Sequence, residues 1–376
     1  MDQAWKAFSG LFQDDAQVAV DRALAELRVG RPILLDGAQG QVMLAAVDAL
    51  SPSVFAAIAA DPEIEISLAL SKARARAIGL PVEGGVSIEV GGLDQAAICR
   101  LAAAPDAGRP KTWAPAEAMA LMGIELCKHA LLLPAVLVAE MGRSVVPPVH
   151  RLTLEQAQSA LGRNRHRLEI VSRAAVPLAR EVEASFVVFR GGSVLRDQIA
   201  IVFGTPDPEG PVTVRLHSAC LTGDLFGSLR CDCGDQLRKA VARLNEAGGG
   251  VLLYLDQEGR GTGIRNKMRA YALQDAGLDT IDADAILGYD ADERRYDIAA
   301  SMLLQLGYRQ ICLLTNNPDK IAALGRAGIE VTEVQPLTGL VTRENRRYLS
   351  TKAKRAGHTL EELLGHPRRA EGGRSR

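Results

Sequence analysis

The sequence has almost no net charge: its 376 residues include 44 lysines and arginines against 45 aspartates and glutamates, leaving −1. That balance withholds the broad positive surface by which proteins hold nucleic acid or anionic membranes, so any positive field is local. Long apolar runs are missing too. Stretches such as residues 130–139 fall far short of the about 20 residues that a membrane span requires, and the opening MDQAWKAFSGLFQDD has no basic region followed by an apolar core. A cytoplasmic protein with neither a nucleic-acid nor a membrane partner is the expectation. Cysteine is scarce at six residues, and three of the six crowd into residues 220–233, which suits metal or redox chemistry rather than a disulfide framework. No internal repeat of fixed period is apparent.

What is present is a globular composition, 47% hydrophobic and 24% charged, in a chain long enough for two domains that each bury a core. Val20, Ala23, Leu24 and Leu27 recur at helical spacing, Gly30 ends that run, and residues 32–35 read as a buried strand. Residues 51–104 are rich in alanine, with breaks at Gly84-Gly85 and Gly91-Gly92, and offer packing rather than chemistry. Residues 133–140 form another strand candidate, and Thr153 with Gln156 spells a capping box opening a helix that runs to about Gly162. From Ala184 the pattern becomes β-rich, at 186–189, 198–203 and 212–216. Helices are then predicted at 236–247, 264–276, 297–306 and 319–327, with strands at 251–255, 311–314 and 330–334. The expectation is an α/β (α+β) protein of two domains, 1–170 and 171–358, the second a mixed sheet with flanking helices. The Gly/Arg/Ser-rich tail, 359–376, has no apolar periodicity and reads as disordered.

Cys220, Cys231 and Cys233 form a C-x10-C-x-C cluster, with Gly223, Gly227 and Gly234 allowing the backbone to bring the sulfurs toward one point. Zinc is the natural occupant, and three thiolates without a nearby fourth ligand leave a position open to water. A structural zinc with a distant fourth ligand, or free buried thiols, are the alternatives. Cys99, Cys127 and Cys312 read as core residues. His217 beside the cluster is either support for the ligands or a backbone hydrogen-bonder, and is not assigned as a ligand.

Residues 256–263, DQEGRGTG, follow a buried strand and precede a helix, so backbone N–H groups and a helix N-terminus there favour a phosphate. Such turns often merely connect elements, but Glu258 and Arg260 are embedded in this one, and a carboxylate accepts both N–H groups of a guanine edge. Thr315-Asn-Asn-Pro318 with Lys320 forms a second anion-friendly junction, or an ordinary N-cap turn. Asp292-Glu-Arg-Arg295 by itself reads as a solvated helix start.

The stretch RLHSACLTGDLFGSLRCDCG, from Arg215 to Gly234, followed in order by DQEGRGTG, NKMRAYALQDAGLDT, ADER and LTNNPDK, strongly resembles GTP cyclohydrolase II over residues 171–358. The resemblance implies hydrolysis of GTP to formate, pyrophosphate and a diaminopyrimidinone ribosylamino 5′-phosphate, the first step of riboflavin synthesis. Zinc on Cys220, Cys231 and Cys233 and magnesium with the triphosphate are implied, as is a homodimer. The zinc is implied to activate the water that attacks C8 of the purine. By the same likeness Gln236, Glu258, Gly259, Arg260, Thr280, Thr315 and Lys320 contact GTP, as does the stretch Arg215, Leu216, His217, Ser218 and Ala219. Arg215 and Lys320 then serve as charge partners for phosphates. Arg294 acts at the α-phosphate as nucleophile or electrostatic stabiliser, Asp292 accepts a proton, and Tyr271 is linked to completing formate loss.

The chain departs from the family at Ala219, commonly glutamate, and Asp256, commonly arginine, as well as at Arg265 and Arg295. These leave rate and substrate choice less constrained than metal binding, with a formamido product or a silent nucleotide-binding partner as the competing outcomes. The first domain's ELRVGRPILLD, ending at Asp36, is similar to the opening of 3,4-dihydroxy-2-butanone-4-phosphate synthase. That synthase continues into a dense acidic loop, where this chain reads Gly37-Ala-Gln-Gly-Gln-Val-Met43, and its HisThrGlu motif has no counterpart near residues 114–118. A degenerate, non-catalytic domain serving as scaffold or interface is expected.

Overall fold

In a computed structural model of the chain, residues 15–38, 40–141, 148–162, 168–179, 182–191, 197–342 and 345 are described, so the tail expected at 359–376 lies outside them. The backbone packs as two compact units. One comprises Met1–Asn164 with Gly261–Glu293, the other Arg165–Arg260 with Arg294–Arg376. The first change of unit thus falls close to residue 170, but Gly261–Glu293 belongs with the N-terminal part, which a contiguous two-domain reading of the sequence does not anticipate.

The first unit is built on a sheet of β1 (Ile33–Gly37), β2 (Gly40–Ala46), β3 (Ile64–Leu70), β4 (Val86–Glu89), β5 (Ala114–Pro115), β6 (Ala135–Met141) and β7 (His150–Thr153), in the order β5-β4-β3-β6-β2-β1-β7. All pairs are antiparallel except β1 with β7. In the helix Asp15–Arg28, Val20, Ala23, Leu24 and Leu27 are all buried, as their spacing predicts. The capping box forms in both directions: Gln156 N–H donates to Thr153 Oγ1 at 3.0 Å and Thr153 N–H to Gln156 Oε1 at 2.9 Å, opening the helix Leu154–Gly162.

Two helices from the C-terminal half of the sequence complete this core. Ala270 on helix Ile264–Asp275, Ala283 on helix Thr280–Ile286, and Leu287 and Tyr289 just beyond share one buried cluster with Leu34, Leu68 and Leu137. Sequence patterning missed the Thr280–Ile286 helix because seven residues carry no usable apolar period; its start is fixed locally, where Asp279 accepts from Ile281 and Asp282 N–H.

The second unit has a sheet of β8 (Glu169–Leu178), β9 (Val182–Arg190), β10 (Gln198–Gly204), β11 (Val212–Ser218), β12 (Gly249–Leu255), β13 (Gln310–Leu314) and β14 (Glu330–Gln335), ordered β14-β13-β11-β12-β10-β9-β8. From β14 to β12 the strands run parallel, and from β12 to β8 antiparallel. The parallel half is covered on both faces, which is why β12 reads as a continuous apolar run. Val251, Leu253 and Leu255 pack with Ile298, Met302 and Leu303 of helix Asp297–Leu306. Leu252 on the other face packs with Ala240 and Leu244 of helix Cys233–Glu246. No helix among the described residues is long and apolar enough to cross a membrane.

Candidate functional site

The parallel strands β11, β12 and β13 end at Ser218, Leu255 and Leu314. The carboxyl ends of parallel strands are where open α/β sheets bind ligands, because the loops leaving them converge beyond the last backbone pairs. Here those three loops are the cysteine cluster, the DQEGRGTG turn and the Thr315 turn.

Cys220, Cys231 and Cys233 have their sulfurs within 4.8 Å of one another, and among the described residues they are the one set of three such ligands close enough to share an ion. The Cys220 and Cys231 sulfurs stand 3.7 Å apart. Two thiolates bound tetrahedrally to one zinc at about 2.3 Å would stand about 3.8 Å apart, so the spacing fits. The space is held by glycine. A Cβ on Gly223 would come within 2.8 Å of Cys231 Sγ and 3.0 Å of Cys220 Sγ, and one on Gly234 within 2.1 Å of the Gly223 carbonyl oxygen. The crowded sulfur of Cys220 holds the Cys231 and Cys233 thiols above the ordinary range, a penalty that a cation among them would reverse.

Asp224, which sequence reasoning did not single out, organises this loop. Its carboxylate accepts from Cys220 N–H at 3.0 Å, from the Tyr254 hydroxyl at 2.9 Å and from His217 Nε2 at 3.0 Å. Its place four residues after Cys220 follows no spacing rule, so the sequence carried no signal for it. Burial holds His217 below its usual pKa despite Asp224, so the ring is neutral, donates through Nε2 and leaves Nδ1 buried without a partner. It stacks on Tyr254 with centroids 5.6 Å apart. His217 is therefore a support for the cluster through Asp224. Replacement of Asp224 by asparagine removes the charge that anchors the Cys220 turn and is expected to weaken metal retention by about 10–100-fold, measured as zinc loss to a competing chelator.

Beside the cluster three cations gather, Arg215 two residues before His217 on β11 and so on the same face of the strand. Arg215 is fully buried and donates to the Leu314 carbonyl at 2.9 Å and to Gln236 Oε1 at 2.6 Å, while Gln236 donates to Asp232 at 2.5 Å. Lys320 donates to the carbonyl of the buried Leu216 at 2.9 Å, and its Nζ and the Arg294 guanidinium each lie 5.5 Å from the centre of the Tyr296 ring. Burial, with a contribution from Arg294, lowers the Arg215 pKa to about 10. Arg215 Nε, His217 Nδ1, Ser218 Oγ and Asp232 Oδ1 are all buried without partners. Unpaired polar atoms are costly to bury, and three of these four lie on β11 and the fourth at the start of helix Cys233–Glu246, which marks a place that a polar ligand completes.

Glu258 accepts from Leu221 N–H at 2.6 Å and from Gly259 N–H at 2.9 Å, tying the DQEGRGTG turn to the cysteine loop. Gly259 and Arg260 are both left-handed, with φ of 63° and 60°. For arginine this conformation costs about 1–2 kcal/mol, and such strain gathers at functional sites. Arg260→Gly is therefore expected to hold or raise the unfolding midpoint, read by thermal melts. The Thr315 junction is built as an N-cap turn: Thr315 Oγ1 accepts from Asn317 N–H at 3.1 Å and Asn317 Oδ1 from Asp319 N–H at 2.9 Å, with Pro318 in the first turn. Ala219 contributes backbone only, its N–H donating to Leu255 at 2.8 Å.

The remaining predicted site residues belong to the first unit. Tyr271 lies on helix Ile264–Asp275 with Lys267 Nζ 5.8 Å from its ring centre, Thr280 opens the next helix, and Asp292 is half-buried in the loop that follows.

The family profile for GTP cyclohydrolase II matches residues 169–336. A solved structure of RibBX, a two-domain 3,4-dihydroxy-2-butanone 4-phosphate synthase from A. baumannii, aligns with a TM-score of 0.29 at 15% identity over 85% of this chain and 99% of that one, too distant to bear on either half. The riboflavin biosynthesis protein RibBA of Bacillus mycoides is 53% identical over 44% of this chain and 42% of its own. GTP cyclohydrolase-2 of Azospirillum brasilense is 40% identical over 91% of this chain and 94% of its own. GTP cyclohydrolase-2 of Xylella fastidiosa strain 9a5c reaches 44% identity over 93% of this chain and 89% of its own. With such identity over nine-tenths of the chain, and the ordered motifs placed at converging strand ends, this chain belongs to the GTP cyclohydrolase II family.

Proposed function

We propose that the protein hydrolyses GTP to formate, pyrophosphate and 2,5-diamino-6-(5-phospho-ribosylamino)pyrimidin-4(3H)-one, with zinc on Cys220, Cys231 and Cys233. The observation that carries the reading is the juxtaposition, at the carboxyl ends of the parallel strands, of a three-sulfur cluster with the buried cations Arg215 and Lys320. Zinc on three thiolates supplies a water acidic enough to be activated near neutral pH.

The chain's own groups account for the rest of the chemistry. One water opens the imidazole ring at C8, a second releases formate from the resulting formamide, and a third cleaves the α–β phosphoanhydride. Arg215, Lys320 and Arg294 offset triphosphate charge, and the magnesium that accompanies the nucleotide shares that task. Asp292 accepts a proton and Tyr271 assists the second step at C8. Gln236, Glu258, Gly259, Arg260, Thr280 and Thr315 position the nucleotide, and the bonds of Glu258 to Leu221 and Gly259 N–H hold the turn that carries Gly259 and Arg260. A cytoplasmic homodimer accompanies this reading, to be measured by light scattering.

The N-terminal part, 1–170, is proposed as a non-catalytic relative of 3,4-dihydroxy-2-butanone-4-phosphate synthase. Where that enzyme needs an acidic loop, β1 and β2 pair up to Gly37 opposite Gly40, leaving only residues 38 and 39 between them. The relatives matched along nearly the whole chain carry the cyclohydrolase name alone.

Purified protein supplied with zinc and magnesium is expected to release formate and pyrophosphate from GTP in equal amounts. Mass analysis of the pyrimidine separates complete reaction from arrest at the formamide. Absence of formate and of any ring-opened product from GTP rejects the reading.

A further inference from the structure

The segment Gly261–Glu293 lies inside the family-matched stretch 169–336, yet it packs as part of the first unit. Its attachment is unusually rich in charge. Arg74 is fully buried, and every hydrogen bond of its guanidinium goes to a backbone carbonyl: Nε to Leu101 at 2.8 Å, Nη2 to Arg100 at 3.1 Å and Ala104 at 2.8 Å, and Nη1 to Ile286 at 3.1 Å. It thereby joins the C-terminal end of helix Gln95–Ala103 to that of helix Thr280–Ile286, where exposed carbonyls attract a cation. Burial lowers its pKa to about 10, which leaves it charged at neutral pH. Ser71 Oγ donates to Gly288 O at 2.5 Å in the same corner.

Asp48 is the second tie, its buried carboxylate meeting Arg269 at 2.7 Å. Arg269 donates to Asn266 at 2.9 Å, and Asn266 Nδ2 donates to Leu131 O at 3.2 Å and to the Tyr289 hydroxyl at 2.9 Å, which in turn donates to Leu132 O at 2.6 Å. Lys128 is the third, 3.0 Å from Glu293 and 3.5 Å from Asp290. Burial opposes its charge, but Glu293, Glu125 and Asp290 outweigh it and hold the ammonium above the ordinary lysine range.

Apolar packing alone would attach these helices more cheaply, since desolvating a charge offsets much of what an ion pair contributes. What directional bonds add is register. We propose that the first unit is a clamp for this segment, with Arg74, Asp48 and Lys128 as positioning residues that fix Tyr271, Thr280 and Asp292 for the cyclohydrolase reaction. The link to turnover rests on the function proposed above.

The test uses the full chain carrying Lys128→Met, Lys128→Arg or Asp48→Asn, with amide hydrogen exchange and formate release followed together. Lys128→Met and Asp48→Asn are expected to raise exchange across residues 264–293 at least about ten-fold, leaving residues 198–255 and the zinc content unchanged. They are also expected to lower kcat for formate by about 10–100-fold, the scale on which small misplacements act. Lys128→Arg keeps both properties. Unchanged exchange at 264–293, a uniform rise across residues 15–141, or selective loosening with undiminished kcat each overturns the clamp. If the wild type releases no formate, the functional reading falls, and the exchange pattern alone then decides whether these residues hold the segment.

Discussion

Replacing Cys231 by serine is expected to strip the chain of its zinc and to lower formate release by well over the about 100-fold that changes outside the ligand shell produce. The exchange is nearly isosteric at a half-buried position, so packing changes little. What changes is the donor: a thiolate forms readily beside a dication, whereas an alcohol keeps its proton and binds zinc weakly. Cys312→Ser is the matched control, because Cys312 lies on β13 outside the sulfur cluster. Metal analysis and formate release on the same samples decide the matter. A Cys231→Ser protein holding one zinc and turning over normally sinks the assignment of these sulfurs as the catalytic ligands.

The legible part of the sequence was whatever repeats locally. The helix Asp297–Leu306 has the bounds its apolar period predicts, and the Thr153/Gln156 box shows both of its bonds because each partner lies within one turn of the other. The cysteines were legible because glycine and sulfur in close succession have few other uses. Asp224, Asp232 and Tyr254 were not, since an aspartate near a cysteine has no spacing rule and its three donors are gathered only by the fold. The attachment of Gly261–Glu293 was hidden for the same reason. Arg74 sits in KARARA, where nothing local sets it apart from Arg76, and only the tertiary structure reveals that Arg74 is buried while Arg76 pairs with Glu83 at the surface.

Arg294→Ala is expected to lower kcat/KM for GTP by about 100–1000-fold, and Arg294→Lys to recover a substantial part of that loss, because a cation facing a phosphoryl group acts through charge. A covalent role for Arg294 demands the neutral guanidine. A guanidinium holds its proton at ordinary pH, so that form is scarce. Even Arg215, fully buried and beside Arg294, is lowered only to about 10. Arg294 lies instead over the Tyr296 ring that Lys320 shares, an arrangement that sets two positive charges near one another, both attracted to an incoming polyanion. Rapid quenching during turnover discriminates the two roles: stabilisation predicts no nucleotide bound covalently to the protein at any time. A guanylyl adduct mapped to Arg294 establishes the covalent route.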